Sequence, residues 1–256
     1  MDIKSEDGRL KIIQFGREIY SGRMYTDGEQ WGCGVSTAMD VYCPVERANW
    51  FKNTSRADIE VKGGGAANMG TDLHKIVETA EVPDREDKAE LQTWLEDYKK
   101  EDQKHSVIRE KSEFAVFSQT FLYGGRVDLL EEYDGKRYIT DLKTGRYNHS
   151  DLWKTEAYRQ AYIEMTGDQE VGTAVRYMPS PANQKKGQKP RRYSVERHLN
   201  CFETFLSCYR AFRMTYYKEL IEAGMDKERV FDPLTFMLYE REYGSGMNKD
   251  GLGACK

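Results

Sequence analysis

The chain has 256 residues, enough for one sizeable domain or two small ones, with one favoured, and 39% of its residues are hydrophobic and 32% charged. No apolar run is long enough to cross a membrane, and Met1-Asp2-Ile3-Lys4-Ser5-Glu6-Asp7 has no basic stretch leading into an apolar one, so neither secretion nor membrane anchoring is expected. A formal net charge of −4 argues against non-specific coating of DNA but leaves room for a local basic strip.

Residues 1–35 are expected to form an N-terminal hairpin and loop, residues 36–243 a single domain, and residues 244–256 a flexible tail opening on Gly244-Ser245-Gly246. Leu10–Phe15 and Arg17–Tyr20 around Gly16 read as the hairpin, and the Gly-rich polar stretch 21–34 as loop. Ser36 can cap a short helix to about Tyr42, which Pro44 ends, and a second helix follows through Trp50 and Phe51. Gly63-Gly64-Gly65 has no Lys-Ser or Lys-Thr after it, so a phosphate-binding P-loop is excluded. Thr71 can cap a helix whose buried stripe is Leu73, Ile76, Val77 and Ala80, with His74 at the flank of the stripe. A lone histidine at such a boundary reads as structural. Residues 84–103 form an amphipathic helix in which Leu91, Trp94, Leu95 and Tyr98 recur at i, i+3, i+4, i+7. Glu113–Phe117 reads as a strand whose opening glutamate faces solvent.

An Asp-Gly pair between two β-prone runs is the strongest short-range hairpin signal, and Asp134-Gly135 supplies it. With Tyr133 facing Lys136, the register places Asp128 opposite Asp141 and Arg126 opposite Lys143, all on one face because strand side chains alternate. Two facing carboxylates with Cβ atoms about 5 Å apart repel each other, and a divalent cation between them turns that repulsion into a site. Leu130 with Ile139, and Val127 with Leu142, make both faces partly apolar, so the hairpin is expected to be central and covered on both sides. Beyond it, a helix over 151–166 is capped by Ser150 or Asp151 and closed by Gly167. Strands at 171–178 and 192–196 flank the basic strip Lys185-Lys186-Gly187-Gln188-Lys189-Pro190-Arg191-Arg192. That strip reads equally as a phosphate-binding patch or a solvated loop. Phe202, Phe205, Tyr209, Phe212, Tyr216 and Leu220 stripe a long helix ending near Gly224, with a core role favoured over a partner surface.

Gly125-Arg126-Val127-Asp128 followed by Asp141-Leu142-Lys143-Thr144-Gly145 resembles the core of a PD-(D/E)xK nuclease, in the RecB-like branch with phage exonuclease relatives. Val127 stands where the name-giving proline would be. The resemblance extends over residues 36–178 and implies an α/β (α+β) restriction-endonuclease-like core, a central mixed β-sheet with a catalytic hairpin flanked by helices. It implies a Mg²⁺-dependent deoxyribonuclease, with Mn²⁺ able to substitute, of the kind that trims DNA in phage growth, recombination or repair. DNA is then the partner, with a recombination or single-strand-binding protein as a second partner class, in a cytoplasmic setting without a membrane.

Gly70-Thr71-Asp72-Leu73-His74 resembles the Gly-x-x-x-His helix of this branch, which makes His74 a metal ligand beside Asp128, Asp141 and the Leu142 main-chain carbonyl. Lys143 would hold the attacking water or the scissile phosphate. Glu113 matches an acidic residue of the preceding strand and stands in a second rank. So does Gln160, because the family's Gln-x-x-x-Tyr pattern has Glu164 here in the tyrosine position. Arg126, Lys185, Lys186, Lys189, Arg191 and Arg192 are the expected nucleic-acid contacts. Some relatives hold an iron–sulfur cluster with one early and three late cysteines. Among the five cysteines of this chain, Cys201, Cys208 and Cys255 are too widely spread, so no cluster is expected. The odd count points instead to reduced thiols. Two other classes compete: a noncatalytic nucleic-acid-binding protein retaining the fold, and a metal-dependent enzyme acting on another phosphate ester. The intact Asp128, Asp141 and Lys143 argue against the first.

Overall fold

The computed structural model describes residues 2–39, 53, 56–145, 148–194 and 200–230. Eight strands among them form one mixed sheet. They are β1 (Lys4–Gln14), β2 (Arg17–Thr26), β3 (Trp31–Gly34), β4 (Ile108–Ser118), β5 (Tyr123–Tyr133), β6 (Lys136–Lys143), β7 (Gly172–Tyr177) and β8 (Arg191–Ser194). The sheet runs β1-β2-β3-β5-β6-β7-β8, and β4 pairs with β5. Two pairings are parallel, β3 with β5 and β6 with β7. The second needs a crossover, which the helix His149–Thr166 supplies.

The N-terminal hairpin turns at Phe15-Gly16 as expected, but β2 continues to Thr26 and β3 follows, where the sequence reads as loop. Glycine in this stretch serves close packing: a Cβ on Gly32 would lie 2.5 Å from the Leu122 backbone. The N-terminal segment is thus part of the central sheet.

Helices α1 (Val35–Ala38), α2 (Arg56–Thr79), α3 (Lys88–Lys104), α4 (His149–Thr166), α5 (Pro181–Gln184), α6 (Cys201–Thr215) and α7 (Tyr217–Glu222) complete the described chain. The expected second helix from Pro44 through Phe51 and the tail 244–256 lie outside the described residues. Helix α2 runs straight through Gly63-Gly64-Gly65 and past Thr71, so Thr71 is a helix-interior residue and not a cap. Glycine weakens a helix by about 1 kcal/mol without forbidding it, and the buried Leu73, Ile76 and Val77 anchor the last turns. Ala80 falls just beyond, at φ 57, and is exposed. Helix α4 starts earlier than expected. Asn148 is its N-cap, Asp151 closes a capping box, and Gly167 ends it in the left-handed conformation. The expected long aromatic helix breaks at Tyr216 into α6 and α7.

The sheet is covered on both faces, as the hairpin's apolar residues require. Leu91, Trp94, Leu95 and Tyr98 of α3 join Leu73, Ile76 and Val77 of α2 over Leu129 and Leu142. Tyr158 and Ala161 of α4 and Phe205, Tyr209 and Phe212 of α6 pack with Val116, Tyr123, Val127, Leu130 and Ile139. The aromatic stripe of α6 is therefore core. No described helix is long and apolar enough to cross a membrane.

Candidate active site at the fork of the sheet

The Asp134-Gly135 turn sets Tyr133 opposite Lys136, and the ladder runs back through Leu130 with Ile139 to Leu129 with Thr140. There it stops, one pair short of Asp128 and Asp141. β4 occupies one edge of β5 from Tyr123 to Glu132. The other edge carries β3 at Tyr123 and Gly124, then β6 from Leu129 onward. Over residues 125–128 no described strand pairs with that edge, and the sheet forks. Asp128 closes the end of the β5–β6 ladder, its Oδ2 accepting from the Leu142 N–H at 2.7 Å.

The strand also turns at this point. Ser112 pairs with Leu129 and Phe114 with Val127, while Glu113 between them takes φ 49, a left-handed value worth about 1–3 kcal/mol of strain. Val127 and Leu129, two residues apart, consequently pack into different core clusters. The glycines before Asp128 admit close neighbours. A Cβ on Gly124 would meet Tyr25 at 2.5 Å, and one on Gly125 would meet the Tyr158 ring at 2.2 Å.

The result is a cavity of about 630 Å³ lined by His74, Glu113, Arg126, Asp128, Asp141 and Lys143 together with Tyr158 and part of the N-terminal hairpin. One nitrogen of His74 and one oxygen each of Glu113 and Asp128 lie within 4.8 Å of one another. His74 Nε2 lies 2.9 Å from the Leu142 carbonyl oxygen, which can only accept, so Nε2 carries the proton. Nδ1 then faces Asp128 Oδ1 at 3.7 Å and Glu113 Oε1 at 3.8 Å. Donating one ring N–H to a backbone carbonyl while offering the other nitrogen is how metal-binding histidines are held. The Leu142 carbonyl, expected from the resemblance to be a ligand itself, here orients His74.

Lys143 Nζ lies 2.6 Å from Asp141 Oδ2, and this buried oxygen has no well-directed hydrogen bond of its own. Burial, then the Asp141 charge, push the Asp128 carboxyl up to about 6, against the pull of Lys143 and His74. Burial works against the charge of Lys143, but Asp141 and Asp128 outweigh it and hold the ammonium far above the ordinary lysine value. His74 is likewise raised: burial opposes its charge, while Glu113 and Asp128 favour it. Two carboxylates and an imidazole within one cation's reach, Asp128 already raised, with Asp141 lining the same cavity, fit a hard divalent cation such as Mg²⁺ or Mn²⁺.

Other expected residues scatter. Gln160 donates to Glu156 Oε1 at 2.8 Å and does not line the cavity. Arg192 turns inward, 2.7 Å from the buried Glu131 and against the rings of Tyr133 and Tyr138. Lys185 pairs with Glu90 at 2.6 Å, and Lys186, Lys189 and Arg191 are exposed. Arg191 pairs with Tyr177, which pairs with Lys143, so its backbone is two strand spacings, about 10 Å, from the lysine. Arg126 lines the cavity, 4.0 Å from Glu113, instead of facing Lys143 across a ladder.

Sequence reasoning missed Tyr158, Ser36, Asp7 and Arg23 as cavity residues and underrated Glu113. It read Asp151 only as a cap, although its buried carboxyl sits in the field of Lys143 and Asp141. Asp151 carried a local signal, the capping box, and Ser36, expected as a cap, lies inside α1, whose N-cap is Gly34.

No protein-family model matches the chain, and no curated protein is similar to it in sequence.

Proposed function

We propose that the protein is a divalent-metal-dependent nuclease of the PD-(D/E)xK type, built on a restriction-endonuclease-like core, that hydrolyses phosphodiester bonds in DNA. The observation that carries this reading is the convergence of His74, Glu113, Asp128, Asp141 and Lys143 in one cavity at the fork of the sheet. Asp128, Glu113, Asp141 and Nδ1 of His74 would hold the cation. A bound Mg²⁺ supplies Lewis acidity, lowering the pKa of a water and offsetting charge on the phosphate.

The chain's own residues do the rest. Lys143 keeps its proton at Nζ and donates to a phosphate oxygen, offsetting the charge that grows in the transition state. It is a cation in the site, not a general base. Asp141 aims that ammonium, and the Leu142 carbonyl keeps the His74 ring turned so that Nδ1 is offered to the site. Arg126 at the rim adds positive charge where a polyanion enters. The test is degradation of linear DNA by the purified protein in Mg²⁺ or Mn²⁺, with silence in EDTA. Full activity in EDTA would remove the metal from the reaction, and inactivity on every DNA and RNA form would favour a noncatalytic scaffold.

A further inference from the structure

The cavity extends past the acidic cluster onto the N-terminal hairpin, where Asp7, Tyr20, Ser21, Gly22, Arg23 and Tyr25 line it. Arg23 presents a two-pronged fork to Asp7, with Nε 2.5 Å from Oδ1 and Nη2 2.5 Å from Oδ2. This is the planar geometry with which a guanidinium binds a carboxylate or a phosphate. The backbone builds the pair deliberately. Glu6 pairs with Met24 and Leu10 with Gly22, so three residues of β1, Asp7 to Arg9, oppose Arg23 alone, with Gly8 at φ 72. Bulges of this kind beside a site redirect a side chain, and this one delivers Asp7 to the cavity wall.

The pair gives little to the fold. Both side chains are substantially exposed, Asp7 at 73% and Arg23 at 38%, and exposed ion pairs contribute at most about 1 kcal/mol. Arg23 and then Arg126 hold the Asp7 carboxyl below the usual carboxylate range, so it stays ionised. An ionised carboxylate seated in an arginine fork, in the cavity proposed to receive a polyanion, occupies the place of a phosphate.

We propose that Arg23 binds a substrate phosphate adjoining the scissile one, and that Asp7 is a built-in competitor that fills the fork until that phosphate displaces it. The inference rests on the nuclease reading and names its second anchoring point. Removing a negative charge should then tighten substrate binding through one specific arginine.

The experiment is steady-state cleavage of a fluorescein-labelled linear DNA in Mg²⁺ over a series of NaCl concentrations. Asp7→Asn, which keeps size and loses charge, should lower KM about 3- to 10-fold. Glu6→Gln, on the same strand but paired with Arg9 outside the cavity, should leave KM unchanged. Arg23→Gln should raise KM about tenfold and lessen its logarithmic salt dependence by about one. Arg23→Lys, with the charge kept and the fork lost, should also raise KM. In the Arg23→Gln background, Asp7→Asn should lose its effect. If Asp7→Asn tightens binding equally without Arg23, it acts through distance alone and the proposal falls. It falls too if Asp7→Asn leaves KM unchanged in an active protein. A wild-type protein with no turnover would overturn the nuclease reading first and this inference with it.

Discussion

Lys143 keeps its charge because two carboxylates, Asp141 and Asp128, surround it. A permanently protonated lysine can stabilise a phosphorane-like transition state but cannot take a proton from water. Lys143→Ala should therefore retain metal binding by calorimetry and DNA binding by anisotropy while losing at least about 10²-fold in turnover. Near wild-type cleavage by that variant would exclude Lys143 from the chemistry. His74→Ala should weaken Mn²⁺ binding at least about tenfold with little change in the apo melting temperature. A large apo destabilisation would mark His74 as a packing residue. Asp128 has a pH signature. Its folded pKa of about 6 lies above the unfolded value, so the folded chain holds a proton over an interval where the unfolded chain has lost it. The apo protein gains stability from this group below about pH 4 and loses it as pH rises through 6, and His74, also raised, acts in the same direction. Apo melting temperatures in EDTA should fall over that rise, less steeply in Asp128→Asn, and Mg²⁺ should reverse the fall in the wild type only.

At the scale of elements, the hairpin β5–β6 is held from behind by charge. Glu131, 1% exposed, accepts from Thr140 Oγ1 at 3.0 Å and lies 2.7 Å from Arg192 and 3.5 Å from Arg176. Arg176 reaches Asp102 of α3 at 2.5 Å, tying strands β5, β7 and β8 to the helix over them. Breaking a buried network at one member leaves uncompensated charge, so Glu131→Gln should lose about 3–5 kcal/mol in denaturant unfolding. A loss below about 1 kcal/mol would mean that water already screens the group. The hairpin was the most legible element of the sequence, since Asp134-Gly135 sets its register locally and the pairing holds to Leu129 and Thr140. The last step to Asp128 and Asp141 was not legible. It depends on β5 exchanging β6 for β3, a strand about ninety residues earlier that composition disguised as loop. Thr71 misled for a related reason: a capping residue signals a possible helix start, and the packing of α2 decides whether one occurs.

For the whole molecule, the fork joins parts of the chain far apart in sequence: the N-terminal segment, the end of α2, the central β4–β5–β6 unit and Tyr158 of α4. Asp128, Asp141, Lys143 and His74 could be read in advance because short motifs mark them. Arg23 and Asp7 enter the same cavity through sheet order and a bulge, and Tyr158 through the packing of α4 against Gly125, which no local pattern encodes. The two-faced covering of the sheet was predictable from its apolar residues, although only Leu130 with Ile139 pairs as expected and Val127 and Leu142 lie in different core clusters. The covering places the acids in a half-buried cleft where like charge accumulates. Charge accumulated in this way calls for a cation, and locating one is the direct test. Anomalous diffraction from crystals soaked in Mn²⁺ should show a peak about 2.2 Å from Asp128 and Glu113 oxygens and from Nδ1 of His74, lost in Asp128→Asn. A fork with no anomalous density at saturating Mn²⁺, or a peak that persists in Asp128→Asn, would contradict the account.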